Sequence, residues 1–286
     1  MKNLKELIKY CHIKVFNGNR CPILTKIESQ YKNEYNIPHY DFFYYDSMNE
    51  EIGKKIADYF DATPHNSNNI YVKAAYEQLS KEVIDQFLFL QESEMKIDFE
   101  PFKGDGEPYK NSFEMLMDIH NYHMYFFKTE SGFGESIKNE DNMMLRKTGI
   151  FIKDYELLVN DIFRIVHDVF GHASYGYSFG PIGEDLAWMT HSKMFSPLAR
   201  AAITTETRGQ NCWVNFGPHL RNLNGKVYEK NEEKWIPPSQ RPFAEQKMIL
   251  LPKEISGVEL HKNQGEVLAN HIKDWNPLLS ITHEKI

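Results

Sequence analysis

The residues best suited to chemistry lie in Asn160–His172, NDIFRIVHDVFGH, and in the run Thr204–Asn211, TTETRGQN. In the first stretch His167 and His172 stand five residues apart, with Asp168 following the first and Gly171 preceding the second. Two imidazoles and one carboxylate form a metal-ligand set with open positions, the arrangement that suits non-haem Fe(II) oxygen chemistry. On a regular helix, five positions carry a side chain about 140° past a full revolution, so the two rings would diverge. A helix that ends at Gly171 in a left-handed turn would let His172 swing back toward His167. Ile162, Ile165, Val166 and Val169 mark the preceding turns as buried helix, a rigid support for the pair.

The third ligand must come from elsewhere. Glu206 in the second run is the preferred choice and Glu184 its rival, twelve residues beyond His172 at a helix start where a carboxylate also suits the macrodipole. His191 shares the face of Glu184 at i+7, so those two could complete a different site. Asp168 sits too close in sequence to His167 to share an ion with it; orienting water or accepting a proton suits it better. The stretch Glu206–Pro218, ETRGQNCWVNFGP, brings Arg208, Gln210, Asn211 and Asn215 as polar contacts for a substrate and Trp213 and Phe216 as stacking surfaces. A well-bonded turn between core elements would account for the same residues. His120 and His123 read as a half-exposed helix face.

The hexapeptide His167-Asp168-Val169-Phe170-Gly171-His172 resembles the H-E-x-x-G-H iron motif of the pterin-dependent aromatic amino acid hydroxylases. Phe179–Leu186 is similar to the stretch that follows that motif, and Thr205-Glu206-Thr207-Arg208-Gly209 stands where the family carries its V-E-F-G glutamate. The resemblance covers about the middle third of the chain, with Asp for Glu in the motif and a shorter span to the carboxylate. It implies that His167, His172 and Glu206 bind Fe(II), that Asp168 takes the place of the acid that follows the first histidine, and that tetrahydropterin is the reductant; apart from the resemblance, Arg208 is read with Asp168 as catalytic, as a donor that holds the substrate. By order along the chain, Arg146 and Phe133 would take the places of the substrate-carboxylate arginine and the pterin-stacking aromatic.

Around these motifs the periodicity predicts a mainly α protein with a small β hairpin, one domain over residues 1–286 similar to the hydroxylase catalytic domain. Residues 1–45 read as an irregular extension apart from an amphipathic helix at 2–11. Helices are expected from the capping pattern at Ser47–Glu50 to Pro64, and from about Tyr71 to Gln91. Others are expected from Asn111 or Ser112 through Phe127, from Glu184 to Met194, and from Pro197 to about Arg208. Phe99–Ser112, FEPFKGDGEPYKNS, is a long loop and a candidate wall of the site. Lys226–Tyr228 and Lys234–Ile236 are placed as the hairpin.

The 286 residues are 41% hydrophobic and 26% charged with a net charge of −7, an ordinary globular balance that offers no general attraction to nucleic-acid phosphate. Three cysteines without C-x-x-C spacing fit a reducing compartment, and the charged N-terminus and the lack of a long apolar run suggest a cytoplasmic protein acting on a small molecule. Two further readings use the same residues. One is a zinc hydrolase, with Zn²⁺ on the histidines and Asp168 as base. The other is a non-catalytic binding protein in which a metal only ties the helices together.

Overall fold

The structure is a computed structural model in which residues 22–37, 44–45, 48–132 and 141–259 are described. The helices run in the order α1 Pro22–Glu34, α2 Glu50–Ala62, α3 Ile70–Glu92, α4 Ser112–His120, α5 Thr129–Gly132, α6 Val159–His167, α7 Pro181–His191, α8 Pro197–Thr204, α9 Gln210–Phe216 and α10 Lys253–Ser256. The strands are β1 Tyr44–Tyr45, β2 Asp98–Pro101, β3 His123–Phe126, β4 Lys147–Ile152, β5 Tyr155–Leu158 and β6 Val258–Glu259. They pair two by two, β1 with β6 and β4 with β5 antiparallel, and β2 with β3 parallel. Mainly helical architecture is thus what the sequence led one to expect.

The chain divides into two compact units, Met1–Pro38 with Ser80–Met194 and His39–Leu79 with Phe195–Ile286. The first contains the histidine motif. Its central helix α6 buries Ile162, Phe163, Ile165 and Val166, and an apolar side chain of that size gains about 1.5–3 kcal/mol on full burial. Asp161 anchors the start of α6: its carboxylate accepts from Leu158 N at 2.8 Å and from the Thr129 amide and hydroxyl at 2.8 and 2.7 Å. In the second unit α2 packs on α9, where Ile56, Ala57 and Cys212 form a buried cluster. Gly53 lets the two helices close up, because an added Cβ would lie 2.3 Å from the ring of Phe216.

Several expectations change. Residues 21–45, read as irregular, contain α1, whose Leu24, Ile27 and Tyr31 recur at helical spacing and are wholly buried. The helix after Asn111 stops at His120; a left-handed Tyr122 (φ 62°) then turns the chain into β3, which pairs with β2 inside the segment read as loop. The hairpin is β4–β5, not Lys226–Tyr228 with Lys234–Ile236: those residues form no strand, and Val227 makes an isolated bridge with Arg221. The helix at 2–11 and Phe133 lie outside the described residues.

Candidate metal centre

Both histidines sit on one continuous helical segment, and the means by which they converge is not the expected one. The helix does not end at Gly171. It widens from α into a π-helical turn over Asp168–Ala173, marked by Ser174 N bonding to Val169 O at 2.9 Å, and the left-handed glycine that closes it is Gly176 (φ 73°). A π turn closes its hydrogen bonds one residue later than an α turn, so side chains five apart come onto one face. The rings of His167 and His172 meet edge to face with centroids 5.1 Å apart. Gly171 works by close packing: an added Cβ would stand 3.2 Å from each of Ala187 Cβ, Ala187 O and His167 Cε1.

Glu184, and not Glu206, completes the group. Ligand atoms of His167, His172 and Glu184 all lie within 4.8 Å of one another. Glu184 Oε2 is 3.2 Å from His172 Nε2 and 3.6 Å from His167 Nε2. Ligand atoms sharing an ion at about 2.1 Å are separated by roughly 3–3.5 Å, so these spacings fit a divalent cation with small adjustment. His167 Nε2 is buried and makes no hydrogen bond, as a ligand nitrogen directed at a cation would be. Glu184 is held in the first turn of α7, after Pro181 at the helix start. Gly183 beside it admits the Ser178 carbonyl, which would be only 1.9 Å from an added Cβ.

The electrostatics of the metal-free group follow from this geometry. Burial alone would lower the pKa of His172, but the charge and hydrogen bond of Glu184, then Asp168 and the Tyr177 carbonyl, push it up to about 9. Burial works against the charge of Glu184 as well, yet the two imidazoles hold it well below the usual carboxylate range. Burial pushes His167 down. Asp168 is driven up to about 7 by burial, with Glu184 and Glu107 adding to the effect and His172 and Arg164 opposing it. Glu107 belongs to the loop read as a site wall; burial raises its pKa, with the charge of Arg164 opposing and that of Glu184 adding to the effect.

Glu206, Arg208, Gln210, Asn211 and Trp213 are engaged elsewhere, in the second unit. The Glu206 carboxylate accepts from the Tyr76 hydroxyl at 2.6 Å, Gln210 Nε2 at 2.8 Å and Gln246 Nε2 at 2.7 Å, which corrects its assignment as third ligand. Arg208 is fully buried there, and Gln210 is spent on Glu206. The Asn211 side-chain oxygen accepts from Asn215 at 2.8 Å, and Trp213 Nε1 donates to Asp61 Oδ1 at 2.8 Å. For Gln210, Asn211 and Trp213 the bonded turn is the better account. Arg146 is exposed at the end of a short 3₁₀ turn.

Two neighbours of the site went unrecognised in the sequence. Phe163 stacks on His167 with centroids 5.8 Å apart, and the 40%-exposed Phe179 meets His172 edge-on at 5.0 Å. His191, set beside Glu184 by its i+7 spacing, brings its Nδ1 to 3.2 Å from His167 Nδ1. The i+7 spacing was the available signal, since it sets Glu184 and His191 on one side of α7, against either nitrogen of the same ring. Comparison with known protein families, curated proteins and solved structures returned no match to this chain.

Proposed function

We propose that this chain is a mononuclear non-haem Fe(II) oxygenase that hydroxylates a small aromatic or otherwise planar substrate. The observation that carries the reading is the convergence of His167 Nε2, His172 Nε2 and Glu184 Oε2, the first buried and making no hydrogen bond. Two histidines and a carboxylate on one side of an ion leave positions free for small molecules. When bound, Fe(II) supplies the activation of O₂, which no side chain provides. His167, His172 and Glu184 would hold the ion, while Phe163, stacked on the His167 ring, keeps water from it. Phe179 offers a half-exposed aromatic edge on which a planar substrate can rest. Asp168, titrating close to neutrality, can take or give a proton beside the site. Hydroxylation with one oxygen atom from O₂ also needs two electrons and two protons to form water. Tetrahydropterin is the donor implied by the resemblance, and the ligand set does not depend on it.

One observation favours a second reading, a zinc hydrolase: two histidines and a glutamate are also a catalytic zinc set, and Asp168 has the pKa of a general base. Metal titration of protein prepared without oxygen separates the two. One Fe(II) per chain, lost in His172→Ala and Glu184→Ala, with O₂ uptake on adding a reduced pterin and an aromatic substrate, supports the oxygenase. Stoichiometric zinc and no O₂ uptake selects the hydrolase. A metal that raises stability without turnover of either kind leaves the binding protein, and failure to bind any divalent cation removes all three.

A further inference from the structure

Beyond the three ligand residues, a chain of buried polar groups reaches His167 from the side away from Glu184. Gln86, on α3, has no exposed surface; its Nε2 faces the Met194 carbonyl at 3.4 Å and its Oε1 faces His191 Nε2 at 2.8 Å. His191 is equally buried, and its other nitrogen, Nδ1, is the one 3.2 Å from His167 Nδ1. We infer that Gln86 and His191 are positioning residues that fix the tautomer of His167, so that it presents a bare Nε2 to a divalent cation. The inference rests on the reading of His167 as a metal ligand.

The assignment follows from what each atom can do. A main-chain carbonyl only accepts, so the amide nitrogen of Gln86 must be the group that faces Met194. The amide oxygen then faces His191 and can only accept, which places a proton on His191 Nε2. A neutral imidazole with its proton on Nε2 has a lone pair on Nδ1. Two lone pairs 3.2 Å apart would repel, so His167 must place its own proton on Nδ1 and donate it to His191. Its Nε2 is then unprotonated, and that is the buried atom directed at Glu184 Oε2 from 3.6 Å. Reversing His191 would set its bare Nε2 against the Gln86 oxygen, acceptor against acceptor, and reversing His167 alone would set two bare nitrogens face to face.

The two ligand histidines are therefore oriented by different means. His172 Nδ1 donates to the Tyr177 carbonyl at 3.2 Å, an acceptor in the main chain that no substitution removes. His167 depends on a side-chain relay whose far end is 105 residues away from His191 in sequence. Outer partners of this kind orient a ligand ring and raise its basicity, and losing one costs about 10–100-fold in metal affinity.

Histidine ring ¹⁵N shifts in metal-free protein test the relay directly. The expected wild-type spectrum has His191 protonated at Nε2 and His167 at Nδ1. Gln86→Leu, which keeps the volume and removes the acceptor, should shift both rings toward mixed tautomers and weaken Co²⁺ binding by about 10–100-fold. His191 protonated at Nδ1 in the wild type overturns the relay and needs no variant to fold. A folded Gln86→Leu protein with wild-type tautomers and wild-type Co²⁺ affinity overturns it too. Co²⁺ titration of the wild type separately decides the metal reading: absence of binding would sink that reading, while the tautomers still judge the relay.

Discussion

Two glutamates differ in what their oxygens face. Glu184 faces imidazoles, and Glu206 faces a phenol and two amides. Glu184→Gln is expected to lower metal affinity by at least 100-fold by titration, because an amide oxygen carries no charge to offset the cation. Glu206→Gln should leave that affinity within about twofold and instead cost stability, about 1–3 kcal/mol in denaturant unfolding, by replacing one buried acceptor oxygen with an NH₂ that faces its donors' hydrogens. The sequence could not rank the two. The partners of Glu206 include Tyr76 and Gln246, 130 and 40 residues away, and no local pattern announces them. The His172–Glu184 pair also sets a pH dependence. His172 titrates above its ordinary value, so in metal-free protein the stabilisation from its proton is complete below about pH 6.5 and is lost as pH rises through about 9. Glu184 is depressed, so its contribution holds above about pH 4.5 and is lost only as pH falls through its lowered pKa. A cation must expel the proton of His172, so chelator competition at pH 6, 7 and 8 should show affinity rising about tenfold per unit.

At the scale of elements, the site depends on how one helix is wound. A regular α-helix through His172 would turn the two rings apart, and the π turn at Asp168–Ala173 removes that divergence. Gly171→Ala should move His167 or α7 by a few tenths of an ångström; we expect cation affinity to fall about tenfold with little change in helix content by circular dichroism. An unchanged affinity would mean that the packing of Gly171 on Ala187 does not position the ligands. The helices were legible where apolar residues recur at helical spacing: α3 at Ile70–Glu92 lies within a residue of the expected 71–91. The hairpin β4–β5 was not. Along β4, exposed residues alternate with half-buried ones, so no apolar stripe marks a strand, and a bulge near the left-handed Gly149 breaks its register. The π turn was invisible for another reason: His-x₄-His spacing shows that regular winding fails without showing whether the helix stops or widens.

For the whole molecule, every residue of the ligand set and its relay belongs to the first of the two compact units. A cation at 100 times its dissociation constant stabilises what it binds by about 2.7 kcal/mol. Hydrogen exchange should therefore slow in Val159–His191 on adding metal and remain unchanged in Gln210–Phe216; equal slowing in both would contradict a site confined to one unit. Among the described residues no helix is long and apolar enough to cross a membrane. Composition disclosed the globular class, but it could not disclose that residues 39–79 join the later unit, because nothing in local hydrophobicity records which distant segment covers which. That threading has a consequence during synthesis. By the time Met194 has been added, Gln86, His167, His172, Glu184 and His191 are all in the chain, while Phe195–Ile286 of the second unit have yet to be made. The nascent chain can thus be challenged with a cation before Phe195–Ile286 exist.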